Sequence, residues 1–283
     1  MIHTGEFGPF THCLAGIDTA LADLVSKQAD LPLSDFLTSA PLAQVPVYAS
    51  TPNTSDLEAS VHQIIADGHQ GLKLKIGNGI GPDTQLFSDF ARLSEGKLDV
   101  CVDANQNWTV HEAITALDTL TDQRLAFVEE PLRADAPMHD WAMLADAVSP
   151  PLAGGENITS QQMFSNFMQD GKLGVIQPDV AKWGGVSGAI GVAGIAKEQG
   201  VTCAMHYMGT GLGLAASLHC LAAMNGKGPM ELDANPNPLR TELGDINLTI
   251  TDGHVAVPKG PGIGFVPDPA ALKSMTIAQL DLS

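Results

Sequence analysis

Three acidic residues recur at nearly constant intervals in the middle of the chain, each where an apolar run gives way to polar or turn residues. They are Asp103 in LDVCVDANQ, Glu129 in AFVEEPL and Glu156 in PLAGGENI. A buried carboxylate is costly unless it is paired or binds a metal, and three converging carboxylates repel one another. A hard divalent cation would offset that charge. The spacing therefore predicts a magnesium site. Asn105 is a supporting side chain, and either Glu129 or its neighbour Glu130 is the second ligand.

Two lysines stand two residues apart in GLKLKIG, which places Lys73 and Lys75 on the same face of a strand. Two ammonium groups that are held together and partly desolvated lower at least one pKa, which gives a usable base near neutral pH. The alternative is an edge strand with solvated lysines. The flanking Leu and Ile residues favour burial, because a parallel strand is covered on both faces.

Asp179, in VIQPDVAKWGG, and His206, in TCAMHYM, end consecutive apolar runs, so we expect them to touch. A carboxylate on one imidazole nitrogen fixes the tautomer and raises the basicity of the other nitrogen. A histidine without such a partner is more often a packed core residue, and we interpret His219 in that way. Glu231, in PMELDAN, is a further candidate, with Asp233 on the same strand face as its alternative.

Eight apolar runs repeat about every 25 residues, the length of one strand, one helix and two short loops. The predicted strands are Val45–Ala49, Gly71–Ile76, Leu98–Val102, Ala126–Val128, Pro151–Ala153, Gly174–Ile176, Thr202–Met205 and Pro229–Leu232. The predicted helices between them are Asp56–Asp67, Thr84–Leu93, Val110–Thr121, Met138–Ala147, Ser160–Gln169, Val186–Glu198 and Thr210–Met224. Strands that alternate with helices predict an α/β fold of the (β/α)8 type, a TIM-like barrel modified to (β/α)7β. In such barrels function collects at the carboxyl ends of the strands, where all the residues above lie.

The two ends of the chain fall outside this repeat. Helical periodicity runs from Cys13 to Leu37, with Ile17, Leu21, Leu24 and Val25 on one face. After residue 240, two short apolar runs flank Asp252-Gly253, which predicts a hairpin that folds back on the first helix. We therefore divide the chain into an amino-terminal helical part (1–43), a barrel (44–240) and a tail (241–283).

The overall charge limits the partners. Acidic residues outnumber basic ones by 32 to 14, for a net charge of −18, which disfavours nucleic acid and anionic membranes. No apolar run approaches the ~18–20 residues of a membrane span, and the start of the chain does not resemble a signal peptide. The four cysteines have no metal-binding or redox spacing, so we expect free thiols and a cytoplasmic location.

Six segments of the sequence together resemble the enolase superfamily and, within it, the mandelate racemase (mandelate racemase/muconate lactonizing enzyme-like) subgroup. They are LKLKIG, VDANQNW, FVEEPL, GGENI, QPDVAKWGG and MELDANPNPLR. The resemblance implies that Mg²⁺ is bound by Asp103, Glu129 and Glu156. It implies Lys75 as one base with Lys73 as its electrostatic partner. It further implies an opposing Asp179–His206 dyad and Glu231 as a donor to the developing oxyanion. Relatives of the muconate type have a lysine at or near Asp179, and Lys182, three residues later, does not match that position.

The implied activity is Mg-dependent removal of the α-proton of a small carboxylate substrate through an enediolate. The outcome is dehydration of an acid sugar (a lyase) or racemisation or epimerisation of an α-hydroxy acid (an isomerase). Family members carry a capping domain before the barrel, and here only its last helix is recognisable, as a remnant formed with the tail. Two alternatives remain: a truncated barrel that binds metal without turnover, and a cycloisomerase. Relatives suggest a homo-oligomer, either a dimer or an octamer.

Overall fold

Eight parallel strands form a ring in the computed structural model, which describes residues 8–120, 125–226, 228–246 and 248–278. Strands β1 to β7 pair in sequence order, β8 pairs with β1, and a bridge between Met205 and Met230 closes the ring. The strands are β1 (Gln44–Ser50), β2 (Gly71–Lys75), β3 (Asp99–Asp103), β4 (Leu125–Glu129), β5 (Leu152–Gly154), β6 (Val175–Ile176), β7 (Thr202–Cys203) and β8 (Met230–Asp233). The predicted barrel is confirmed.

Helices surround the ring and account for the helical periodicity of the sequence. They are α1 (Pro9–Gln28), α2 (Leu33–Leu37), α3 (Leu57–Ala66), α4 (Ile80–Ser94), α5 (Val110–Asp118), α6 (Met138–Ala147), α7 (Gln161–Gln169), α8 (Gly185–Gln199), α9 (Gly211–Met224), α10 (Pro238–Thr241) and α11 (Pro269–Met275). Local chemistry sets several starts: Thr109 and Glu112 form a capping box on α5, and Ser160 caps α7. The predicted helix end at Thr121 lies outside the described residues. Only the four-residue α10 follows β8 directly, as the (β/α)7β form requires.

Side-chain alternation along the strands separates two cores. One face of the strands packs against the helices, and the other lines the barrel with an interior layer. That layer consists of Tyr48, Cys101, Phe127, Ala153, Val175 and Ala204. Because the strand period is two residues, Asp103 follows Cys101 and Glu129 follows Phe127 on the same inward face. The charged residues therefore lie directly above this apolar layer, toward the carboxyl ends of the strands.

The chain ends meet on the outside of the barrel. The predicted hairpin is present as β9 (Ile250–Thr251) and β10 (His254–Ala256), paired antiparallel, and β10 also pairs with the start of β1. Beyond it, Ile263 N–H donates to Asp23 of α1 over 2.9 Å, so this part of the tail contacts the first helix. The division at 43/44 and 240/241 stays a prediction, and its outermost residues, 1–7 and 279–283, lie outside the described ranges.

Helix α1 confirms the predicted helical segment, but its apolar stripe faces solvent. Ile17, Leu21 and Leu24 are each at least half exposed. All four cysteines are free thiols, as expected. None of the helices in the described ranges combines the length and apolar character that a bilayer crossing requires.

Candidate active site

Strand β2 carries both predicted lysines into the barrel. Lys73 is completely buried, and its Nζ lies 2.8 Å from Glu129 Oε2 and 2.8 Å from Glu231 Oε1. Lys75 lies two residues closer to the rim, with 32% of its side chain exposed, and pairs with Asp103 Oδ2. The edge-strand alternative is excluded because β2 lies between β1 and β3. Of the two lysines, only Lys75 is open to a ligand.

Asp103 and Glu129 lie side by side at the ends of β3 and β4, where they are register partners. Asp103 Oδ1 accepts a hydrogen bond from Asn105 N–H over 2.8 Å, and Asn105 Nδ2 donates to Asp103 Oδ2 over 3.2 Å. Glu129 Oε2 accepts from both Lys73 and Gln177 Nε2, the latter over 2.7 Å. Both carboxylates are nearly inaccessible and are held by at least two donors each.

Glu130 points away from this group, which resolves the ambiguity within the EE pair. Its carboxylate accepts hydrogen bonds from Gln106 Nε2 over 3.1 Å and from Asn157 Nδ2 over 2.8 Å. These bonds tie together the loops that follow β3, β4 and β5. Glu130 is therefore a structural acid, and Glu129 is the member of the pair that faces the barrel.

Glu156 comes from the loop after β5 and reaches toward the far side of the ring. A Cβ atom at Gly155 would lie 2.5 Å from the backbone of Gln177, so only glycine allows the loop to approach β6 this closely. Glu156 Oε2 contacts His206 Nε2 and lies 3.1 Å from Lys182 Nζ. Its other oxygen, Oε1, accepts a hydrogen bond from Asn157 Nδ2 over 3.1 Å, so Glu156 is held by two cationic side chains and one amide.

The predicted dyad is present in the described region. His206 Nδ1 lies 2.7 Å from Asp179 Oδ2, and both side chains are buried. Asp179 also accepts a hydrogen bond from Ala181 N–H over 2.7 Å, which fixes the carboxylate. His219 lies in the core of α9 and accepts from Ser34 N–H, so its interpretation as a packing residue is confirmed.

Glu231 connects the two sides of the site. It is fully buried, with Oε1 paired to Lys73 and Oε2 3.8 Å from His206 Nε2. The alternative candidate, Asp233, instead faces Arg240 at 3.4 Å and accepts from Asn235 N–H, so it organises the loop after β8. The chain of contacts thus runs from Lys75 to Asp103, Lys73, Glu231, His206 and finally Asp179.

The burial of these groups shifts their protonation. Burial raises the pKa of Glu129 to about 7, against the opposing pull of Lys73. Burial alone would lower the pKa of Lys73, but the charges of Glu129 and Glu231 hold it well above its usual value. Burial likewise opposes the charge on His206, yet its bonds to Asp179 and Glu156 raise its pKa to about 10.

The pKa of Glu231 is lowered, because the attraction of Lys73 and His206 outweighs the effect of burial. In this arrangement Glu231 is ionised and accepts hydrogen bonds. To act as the donor that the sequence resemblance implies, Glu231 must first be protonated. That requires a change in its contacts with Lys73 and His206.

The donor set fits magnesium by its chemistry, because the predicted ligands offer only carboxylate oxygens. Within the described ranges, however, no three histidine, cysteine or acidic side chains are grouped closely enough to hold a metal as they stand. The three carboxylates instead hold Lys73, Lys75, Lys182 and His206. A bound cation requires the carboxylates to exchange those partners, and the ligand assignment stays a prediction.

Sequence analysis missed three residues of the site. Gln177 shares the strand face of Asp179, so the period of two could have revealed it. Lys182 lies three residues after Asp179, in the turn before α8, and its contact with Glu156 had no signal in the sequence. Tyr48 lies beneath Lys73, with the ring centroid 5.7 Å from Nζ, and its buried hydroxyl has no partner in the described part of the chain.

Comparison with known proteins places this geometry in context. A family model described as "Enolase C-terminal domain-like" matches residues 56–271. D-galactarolactone cycloisomerase from Agrobacterium fabrum is 30% identical over 276 residues, which are 92% of this chain and 73% of the relative. Arabinonate dehydratase from Saccharolobus solfataricus is 28% identical over 258 residues, which are 89% of this chain and 69% of the relative.

Solved structures give the same picture. A mandelate racemase/muconate lactonizing enzyme from Bordetella bronchiseptica RB50 superimposes with a TM-score of 0.90 and 39% identity, over 96% of this chain and 75% of that chain. A racemase from Streptomyces coelicolor A3(2) with bound magnesium superimposes with a TM-score of 0.87 and 27% identity, over 96% of this chain and 74% of that chain.

Proposed function

The chain belongs to the enolase superfamily, in the mandelate racemase/muconate lactonizing enzyme subgroup, and on that premise we propose that it removes the α-proton of a small carboxylate substrate. The proposed outcome is dehydration of an acid sugar or racemisation or epimerisation of an α-hydroxy acid, through an enediolate. Its relatives include a dehydratase and a cycloisomerase, which supports this class of reaction.

One observation carries the proposal: a pair of lysines and a histidine–aspartate pair lie on two sides of the same buried carboxylate. Lys73, beside Lys75, contacts one oxygen of Glu231, and His206, backed by Asp179, lies 3.8 Å from the other. Lys75 and His206 come from β2 and from the residues after β7, on different sides of the ring. They can therefore address opposite faces of one substrate carbon, as two-base chemistry requires.

Each group then has a defined task. Lys75 is exposed enough to take or return a proton, whereas the buried Lys73 keeps a fixed positive charge where negative charge develops. Asp179 holds His206 in one orientation, so that Nε2 faces the site. Nε2 now contacts Glu156, and it becomes free for a substrate proton once Glu156 turns to another partner.

We propose Asp103, Glu129 and Glu156 as the ligands of Mg²⁺. When bound, the ion would act as a Lewis acid toward the substrate carboxylate and as a template for its position. Gln177 and Asn105 would orient Glu129 and Asp103 through the hydrogen bonds already present.

Cycloisomerisation is the second candidate, favoured by the similarity to D-galactarolactone cycloisomerase. If that reaction does not use the Asp179–His206 pair, an Asp179→Asn variant keeps full activity. A barrel that binds Mg²⁺ but turns over no carboxylate is the third outcome.

A screen in D₂O separates these possibilities. The chain is incubated with MgCl₂ and a panel of aldonates, aldarates, their lactones and α-hydroxy acids, and products are followed by proton NMR. We expect loss of the α-proton signal with at least one acid, together with a 2-keto acid if water is eliminated, or the other stereoisomer if it is not. No exchange and no product across the panel, despite Mg²⁺ binding, would contradict the proposal.

A further inference from the structure

Lys182 is a cationic side chain of the site that has no task in the proposed reaction. It lies three residues after Asp179, in the turn before α8, and 33% of its side chain is exposed. Its Nζ lies 3.1 Å from Glu156 Oε2, and within the described ranges this is its one ion pair. Lys75 is exposed to nearly the same extent but pairs with Asp103. The site therefore offers two lysines, from different parts of the ring, that a ligand can reach.

The two lysines lie on opposite sides of the barrel opening. Three strands separate β2 from β6 in either direction around the ring, so Lys75 at the end of β2 lies across the opening from Lys182, which follows β6. His206 is on the same side as Lys182, because Glu156 Oε2 contacts both of them. Two groups within hydrogen-bond distance of one oxygen are at most about 6 Å apart. Lys182 is therefore within reach of a ligand that also contacts His206.

The present partner of Lys182 is one of the proposed ligands of Mg²⁺. A Glu156 carboxylate that turns to the ion gives up its contact with Lys182. Two acids from neighbouring strand ends, Asp179 and Glu130, already accept hydrogen bonds from other donors at both of their oxygens. An ammonium that is two-thirds buried and has no counter-charge is unfavourable. We therefore expect Lys182 to attract an anionic group of the ligand once Glu156 has turned.

The carboxylate next to the reacting carbon is not that anionic group. In the proposed reaction it is directed to the metal ligands and to the fixed charge of Lys73. In the chain of contacts across the site, three side chains separate Lys182 from Lys73. They are Glu231, His206 and Glu156. A lysine ammonium is a compact charge on a flexible stem, which suits a second carboxylate at the other end of the substrate.

We propose that Lys182 determines substrate specificity by binding a second carboxylate of the substrate, far from the reacting carbon. This inference rests on the proposed function and narrows its substrates to dicarboxylates. Lys182 pairs with Glu156 in the metal-free chain and with the substrate when Glu156 binds Mg²⁺. A monocarboxylate of the same length has a hydroxymethyl group at that end and leaves the ammonium without an ionic partner. The difference between the two affinities is the specificity.

Magnesium binding tests the exchange of partners without any substrate. MgCl₂ is titrated by calorimetry into the wild type, Lys182→Met and the control Lys172→Met, whose exposed lysine pairs with Asp146 of α6. We expect Lys182→Met to bind Mg²⁺ at least threefold more tightly, because the ion no longer competes with the ammonium for Glu156. Lys172→Met should bind as the wild type does. Unchanged or weaker binding by Lys182→Met would overturn the proposal, since Lys182 would then not be displaced from Glu156 by the ion.

Matched pairs of acids test the second carboxylate. D-glucarate is compared with D-gluconate, and galactarate with D-galactonate, by calorimetry with Mg²⁺ present and by kcat/KM for any acid that is turned over. We expect the wild type and Lys172→Met to favour at least one dicarboxylate over its partner at least tenfold, and Lys182→Met to lower that ratio at least fivefold.

Two results would overturn the assignment of Lys182. One is a wild type that binds neither dicarboxylate better than its partner, and the other is an equal loss for both acids of a pair in Lys182→Met. Failure of the proposed function gives a different result. In that case the binding preference and its loss in Lys182→Met are observed, but no acid exchanges its α-proton in D₂O.

Discussion

Replacing Lys73 by Met tests the buried charge network at its centre. The ammonium of Lys73 lies 2.8 Å from Glu129 and 2.8 Å from Glu231, and 3.7 Å from Asp103, with no exposure to solvent. Methionine keeps most of the side-chain volume and removes the charge. Breaking a buried ion pair from one side costs about 3–5 kcal/mol, because the partners remain buried and unpaired. We therefore expect the free energy of unfolding of the metal-free chain to fall by about that amount.

Lys75→Met is the matched control on the same strand. Lys75 contacts one acid and is 32% exposed, so its loss should cost about 1 kcal/mol or less. The assay is guanidinium unfolding followed by circular dichroism. Similar losses for the two variants, or a loss below about 1 kcal/mol for Lys73→Met, would show that Lys73 does not hold the acids together.

The pH dependence of the stability of Lys73→Met gives an independent check. Without the ammonium, the folded-state pKa of Glu129 rises further above its unfolded value, and the pKa of Glu231 rises because it loses the attraction of Lys73. The folded state of the variant therefore binds more protons than the folded wild type. Stability then falls as the pH rises, by about 1.4 kcal/mol for each unit of added shift. The penalty of Lys73→Met should therefore be larger at pH 8 than at pH 5, and the reverse order would refute the reasoning.

Three further predictions concern the same site. By calorimetry, Mg²⁺ affinity should fall at least tenfold in each variant of a predicted ligand. The control Asp99→Asn, at an exposed position of β3, should bind Mg²⁺ as the wild type does. Unchanged affinity in every ligand variant would remove the metal assignment. The ligand variants are Asp103→Asn, Glu129→Gln and Glu156→Gln. Gln177→Leu removes one of the two donors to Glu129 and should weaken Mg²⁺ binding about tenfold, as measured in the same titration. Because the pKa of His206 is raised to about 10, the metal-free chain should lose up to about 5 kcal/mol of stability between pH 6.5 and pH 10. His206→Asn should abolish that slope in unfolding titrations, and an unaltered slope would contradict the His206 contacts.

Much of the fold was predictable because burial on both faces of a parallel strand leaves a strong signal. The eight apolar runs match the eight strands, and Met138–Ala147 is a helix with the predicted bounds. The Asp179–His206 contact was also predictable, since consecutive strands of a parallel barrel are neighbours. Side-chain period then sufficed to place Lys73 and Lys75 on one face.

The partners of long side chains were less predictable, because several rotamers of one residue reach different neighbours. Glu156 contacts His206 and Lys182 across a loop that only Gly155 permits, and no local pattern indicates that choice. Helix α1 shows another limit. Its periodicity correctly gave a helix, but periodicity alone does not tell which side faces the protein. Hydrogen bonds from distant segments to Asp18 and Asp23 decided that.

Stereospecific exchange tests the two-base account most directly. Each stereoisomer of an accepted α-hydroxy acid or acid sugar is incubated in D₂O with Mg²⁺ and wild-type chain, Lys75→Ala or His206→Asn, and incorporation of α-deuterium is followed by NMR. The account predicts that each variant loses exchange for one stereoisomer, that the two variants lose opposite stereoisomers, and that each retains the other. Wild-type exchange of both stereoisomers in both variants would contradict it.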